Sequence, residues 1–266
     1  SSTSRGLGDV YKRQLPWYQN LHVRRGPSLR ISTAEFVAIM AMLVATVAIS
    51  IDGLLPALSI IAKELTPLRP NNAQIILSSF VAGMAIGTLI VGPLSDSYGR
   101  KPIIYGGAFI YILTSVVCVV SQSLELILVA RFLQGVGASA PRVVAQALVR
   151  DFYKGREMAR ISSFIMIVFA LVPAVAPLLG SFVMFAFDWR AIFFMFIAFV
   201  AISTIWMGLR INETISEENR VKFNLRNLIA AFREVLSHPL ILSAVITLVF
   251  AYSLSLIHIS EPTRRR

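Results

Sequence analysis

Three charged side chains, Asp52, Arg131 and Arg142, fall inside long apolar runs. Asp52 lies in Ser50-Ile51-Asp52-Gly53-Leu54-Leu55-Pro56-Ala57-Leu58, and Arg131 in Arg131-Phe132-Leu133-Gln134-Gly135-Val136-Gly137. A carboxylate at the centre of a membrane helix costs roughly 2.5–3.5 kcal/mol on insertion scales, so it is expected to face a polar cavity or a partner. Burial makes a carboxyl harder to ionise, and a nearby guanidinium makes it easier. A cavity that alternately wets and pairs Asp52 can therefore load and release a proton, with Arg131 tuning it. Two plainer readings stand beside this one: a static ion pair joining two helices, and Asp52 snorkelling at the outer interface. Arg142 follows Arg131 by eleven residues, about 16 Å along one helix face. It suggests an anionic or polar substrate region, with snorkelling toward the inner surface equally open. His22, His238 and His258 fall outside the predicted spans, and no metal cluster or nucleophile–base pair is evident. Neither an enzyme nor a cofactor is expected. Cys118 is a lone thiol in an apolar run, so a disulfide framework is excluded.

The elements that must position these residues are membrane helices. Of 266 residues 56% are hydrophobic and only 15% charged, and the mean hydropathy is +0.72. Soluble domains carry about a quarter charged residues. Long uncharged runs exclude a barrel and predict an all-α integral membrane fold. The predicted spans are about 35–61 (interrupted by Asp52), 73–95, 102–124, 126–149, 161–187 and 191–209. Residues 63–72, with Pro67 and Pro70, read as a loop, and 150–160 as a charged connector. Residues 15–34 read as a polar, basic tail. Residues 210–238 form a long polar loop whose Phe223, Leu225, Leu228, Ile229 and Phe232 suggest a surface-lying helix. A seventh helix begins at Pro239 and is expected to stop near Ser253, too short to cross.

Alternating spans create two sets of loops, and their Lys/Arg content fixes orientation. One set holds fourteen basic residues, among them Arg100, Lys101, Arg150 and Arg210; the other holds Lys63, Arg69 and Arg190. The first set, and the N-terminus with it, is expected in the cytoplasm. The net charge of +11 is thus a matter of topology and gives no argument for nucleic acid.

Both ends read as non-native. Residues 9–14 back-translate as GAT-GTG-TAT-AAG-AGA-CAG, whose reverse complement encodes residues 254–259. Segments 1–14 and 254–266 are therefore expected to be adapter-derived and are kept out of the fold reasoning. The remainder is expected to be an internal fragment of a longer protein.

Between the second and third spans runs Gly92-Pro93-Leu94-Ser95-Asp96-Ser97-Tyr98-Gly99-Arg100-Lys101-Pro102. Gly99 supplies permissive backbone angles, and Pro102 suits a first helical position. This turn resembles the G-x-L-x-D-x-x-G-R-K-P signature of the major facilitator superfamily. Arg131, Gln134, Gly135 and Gly137 match that superfamily's R-x-x-Q-G-x-G motif, although small residues here also serve close helix packing. In the fifth span Pro173 and Pro177 remove backbone donors. Only Pro177 and Gly180 match the antiporter motif G-x-x-x-G-P-x-x-G-G, since Ala176 and Ser181 replace glycines. The strings around Asp52, Gly92, Ala147-Leu148-Val149-Arg150-Asp151 and Asp188-Trp189-Arg190 resemble the Bcr/CflA branch of drug exporters.

The resemblance implies a six-helix N-terminal bundle built as a 3+3 inverted repeat, half of a transporter whose second half is missing here. It implies proton-driven export of hydrophobic, drug-like molecules across the bacterial inner membrane by alternating access. In that picture Asp96, Gly99 and Arg100 belong to a cytoplasmic gate. Two competing functions remain: a symporter or uniporter for a polar metabolite, and a non-transporting sensor or scaffold.

Overall fold

The computed structural model describes residues 31–215, Arg220, Asn224, Ile229, Arg233, 237–239, 241–244, Ile246, Thr247 and Phe250. It divides into two units, Ser1–Arg220 and Val221–Arg266. In the second unit, helical backbone is present over 241–244. Most of the expected tail, most of the surface-lying helix, the proposed stop near Ser253 and both terminal segments lie outside the described residues.

The first unit is a helical bundle: α1 (Thr33–Asp52), α2 (Leu58–Leu65), α3 (Ile75–Tyr98), α4 (Arg100–Val120), α5 (Leu124–Phe152), α6 (Gly155–Ala186) and α7 (Ala191–Arg210). Among the described residues six segments are long and apolar enough to cross a membrane, the first of them, Thr33–Leu65, containing both α1 and α2. Ser32 starts α1 by accepting a hydrogen bond from the Glu35 backbone N–H at 3.1 Å, which satisfies one of the orphan donors of the first turn. The break after Asp52 has a local cause. Pro56 lacks an N–H and disfavours helical angles at Leu55, and the chain passes through a 3-10 turn at Leu55–Ala57 before resuming as α2.

Packing follows the expected internal repeat. α1 packs on α6, α5 and α7, while α5 packs on α3, α1 and α4, and α4 packs on α7. Exchanging the first three spans for the last three maps this set of neighbours onto itself, as an inverted 3+3 repeat requires. Small residues allow the tightest approach: a Cβ on Gly135 would overlap the Phe80 carbonyl, and one on Gly83 the Phe132 carbonyl.

Three boundaries differ from the sequence expectation. The connector expected at 150–160 is only Tyr153 and Lys154, because α5 runs to Phe152 and α6 starts at Gly155. Charged residues do not end a helix; they let it continue out of the hydrocarbon. The loop expected at 63–72 is shortened by α2, which reaches Leu65, and by a 3-10 turn at Pro70–Gln74. Pro102 is the third residue of α4, not the first. It is still in the first turn, where its missing N–H has no intrahelical acceptor.

Candidate functional site

The ends of α1, α3, α4, α5, α6 and α7 define two faces of the bundle. The face holding Thr33, Arg100, Phe152 and Arg210 is called the basic face below.

In the middle of the bundle Arg131 is fully buried. One of its terminal nitrogens donates to the Ser50 backbone carbonyl at 2.8 Å, the other to Gln134 Oε1 at 2.7 Å. Its guanidinium carbon stands 4.4 Å from the centre of the Phe80 ring, a cation–π contact that a desolvated site strengthens. Gln134 passes the network on by donating to Ser115 Oγ, which in turn donates to the Tyr111 carbonyl. The Tyr111 hydroxyl meets Ser50 Oγ, closing the ring between α1, α4 and α5. Arg131 Nε has no hydrogen-bond partner among the described residues.

The structure does not bring Asp52 and Arg131 into an ion pair. Arg131 binds the Ser50 carbonyl instead, and Asp52 is half-buried and makes no ion pair among the described residues. The Ser50 contact brings Arg131 within a turn of Asp52, but Ser50 and Asp52, two positions apart, point about 200° apart around a helix. Beyond Asp52, Gly180 of α6 packs against the Gly53 carbonyl so closely that a Cβ would overlap it. Pro173 and Pro177 sit within α6, which continues as helix through both.

At the basic face the motif turn is tied down by ions. Arg100 donates to Asp96 Oδ1 (2.6 Å), Ser95 Oγ (2.6 Å) and Asp151 Oδ2 (3.1 Å). Gly99 has φ +103°, a conformation costly for any residue with a Cβ. Behind it, the Glu213 carboxylate accepts from the backbone N–H groups of Arg100 and Lys101, both at 2.9 Å. This places an anion on the N-terminus of α4, where free donors and the helix dipole favour one. Lys101 Nζ donates to the Gly208 carbonyl at 2.8 Å. Gly92, by contrast, has nothing within 4 Å of a would-be Cβ.

The first and last spans are also joined at both faces. Glu35 pairs with Arg210 at the basic face. On the opposite face Glu64 accepts from Arg190 at 2.8 Å and from Trp189 Nε1 at 2.7 Å. The hydrogen bond that Arg190 donates to Glu64, helped by the one to Asp188, holds Arg190 still more firmly protonated.

Sequence reasoning missed Ser50, Phe80, Tyr111, Ser115, Glu64 and Glu213. The pair Tyr111 and Ser115, two polar groups one turn apart in an apolar run, was the available signal. Nothing local marks Glu213.

The chain matches the family profile described as Major Facilitator Superfamily over residues 37–260. The chain belongs to that superfamily. It is 36% identical over 199 residues to a bicyclomycin resistance protein homolog of Haemophilus influenzae, covering 75% of this chain and 50% of the relative. It is 37% identical over 161 residues to the multidrug resistance protein MdtL of Escherichia coli O157:H7, covering 60% and 40%. The chain spans about half the length of the curated relatives it matches. The human organic anion transporter MFSD10 shares the fold, with a TM-score of 0.61, 18% identity and coverage of 80% of this chain and 55% of that one. A member of this superfamily with six membrane-length helices is a multi-pass membrane protein of a transporter family, not an enzyme.

Proposed function

We propose that this bundle is the N-terminal half of a proton-coupled multidrug antiporter of the bacterial inner membrane, working by alternating access. The relatives' resistance names support drug-like cargo. The observation that carries the coupling is Asp52: a half-buried carboxyl without an ion-pair partner among the described residues, two positions from a carbonyl held by a buried cation. Deprotonated Asp52 is attracted by the Arg131 charge; protonated Asp52 is not. Proton loading thus changes the force between the end of α1 and α5, and a carrier gains direction when proton and cargo favour different conformations. Asp96, Gly99, Arg100 and Lys101 form the gate at the cytoplasmic face, with the basic face turned to the cytoplasm.

The test is drug efflux by the intact transporter in everted membrane vesicles under an imposed pH gradient. Asp52→Asn is expected to insert normally and to lose gradient-driven efflux. Full efflux in that variant refutes the assignment.

A symporter or uniporter for a polar metabolite is the second reading, favoured by the half-buried Arg142. Proton flux in the same direction as cargo, or no proton flux, would select it.

A further inference from the structure

Arg160 lines a recess of about 360 Å³ at the basic face. The other walls are Thr33, which begins α1, Tyr153 of the α5–α6 connector, and Glu157, Ile161 and Phe164 of α6. The recess lies on the flank of α6 turned away from α5. Glu157, Arg160 and Phe164 point about 130° around the helix from Met158, Ser162 and Ile165, which face a separate cavity shared with Ala145 and Val149 of α5. Beyond Phe164 the flank continues as exposed apolar side chains, Val168, Leu171 and Val175, at steps of four, three and four residues.

The rim of this recess carries excess positive charge. Lys154, Arg156 and Arg160 fall within seven residues, with Glu157 as the lone acid among them. All four are exposed, and none makes an ion pair among the described residues. The other acids described at this face are engaged elsewhere. Glu35 holds Arg210, Asp96 and Asp151 hold Arg100, and Glu213 caps α4. Arg160 rests instead beside the Phe164 ring, its guanidinium carbon 5.8 Å from the ring centre. That contact steadies the cation without using its N–H donors. Topology accounts for basic residues at such a rim, but not for a recess that joins one of them to an apolar track.

We propose that the recess binds the headgroup of an anionic phospholipid such as phosphatidylglycerol. Arg160 takes the phosphate, the Thr33 and Tyr153 hydroxyls offer further donors, and an acyl chain follows Val168, Leu171 and Val175. The volume is at the small end of ligand sites, which suits a headgroup whose chains stay outside. Three cations against one acid select a headgroup of net negative charge, since a choline would bring a fourth cation among them. A free inorganic anion could use Arg160 but would gain nothing from the apolar track. The inference needs only that the bundle lies in a membrane, and stands or falls apart from the antiporter reading.

Native mass spectrometry of the full 266-residue chain in dodecyl maltoside measures the equilibrium constant for the first bound lipid. The probes are dioleoylphosphatidylglycerol and dioleoylphosphatidylcholine. Phosphatidylglycerol is expected to bind about fivefold tighter, the factor contributed by one cation near the membrane surface. Arg160→Gln should remove that preference and leave phosphatidylcholine binding unchanged, which shows the variant is folded. Arg160→Lys should retain most of it. Thr33→Trp fills the recess without altering a charge, and should weaken phosphatidylglycerol binding by a similar factor. Equal binding of the two lipids overturns the proposal. So does a preference that survives Thr33→Trp, or one lost equally in Arg69→Gln at the opposite face, since either marks general charge attraction.

Discussion

Arg131 holds the backbone carbonyl of Ser50, two residues before Asp52, and leaves the Asp52 carboxylate to itself. The buried cation is thereby fixed by neutral acceptors and an aromatic face, and Asp52 makes no ion pair among the described residues, which on the proposed reading leaves it free to exchange a proton. A closed ion pair would have opposed that exchange, because breaking it strands a buried charge.

Gln134 accepts from a charged donor, whereas the Tyr111 hydroxyl meets only another hydroxyl. Gln134→Ala is therefore expected to destabilise the bundle by about 1.5–3 kcal/mol, and Tyr111→Phe by about 0.5–1.5 kcal/mol. Equilibrium unfolding in mixed micelles, titrated with a denaturing detergent, measures both. The reverse order would contradict the network described.

The two motif glycines Gly135 and Gly92 should behave oppositely. Gly135→Val drives side-chain carbon into the Phe80 backbone, and overpacking of this kind costs about 1–3 kcal/mol or more. Gly92→Ala meets nothing within 4 Å and should leave the bundle as stable as before. Size-exclusion profiles and melting temperatures of the purified chains decide the matter.

Glu213 works as a distant cap on α4. Glu213→Gln keeps the shape but removes the charge, and is expected to cost about 0.3–1 kcal/mol. The sharper readout is local: amide hydrogen exchange at Arg100 and Lys101 should speed up, and exchange in the middle of α4 should not.

The proposed proton traffic through Asp52 can be tested without transport. In weakly buffered detergent solution, drug binding to the intact transporter should release protons from the wild type and none from Asp52→Asn. Release that persists in the variant would point to another acid.

Much of the bundle was legible because hydrocarbon thickness imposes length and polarity on every span. The runs at 102–124 and 191–209 needed only counting. Charge patterning was a poorer guide to helix ends: Arg150 and Arg156 looked like parts of a connector, yet α5 extends to Phe152 and α6 starts at Gly155 because a helix tolerates charge once it has left lipid. Arg131 was legible as a charge inside an apolar run, and Gln134 as a position of the motif. Their partners were not, since Ser50 offers a main-chain carbonyl, and every residue has one. Glu213 stayed hidden for a related reason: it lies 113 positions from the amide it caps, and no local pattern spans that distance.

The bundle is clasped where its chain enters and where it leaves. Glu35 grips Arg210 at one rim, and Glu64 grips Arg190 and Trp189 at the other. Two spans strapped at both rims resist shearing past each other, so on the proposed reading the first and last spans move together. The α1 break after Asp52 lies between the two clasps, where Gly180 packs directly on the Gly53 carbonyl.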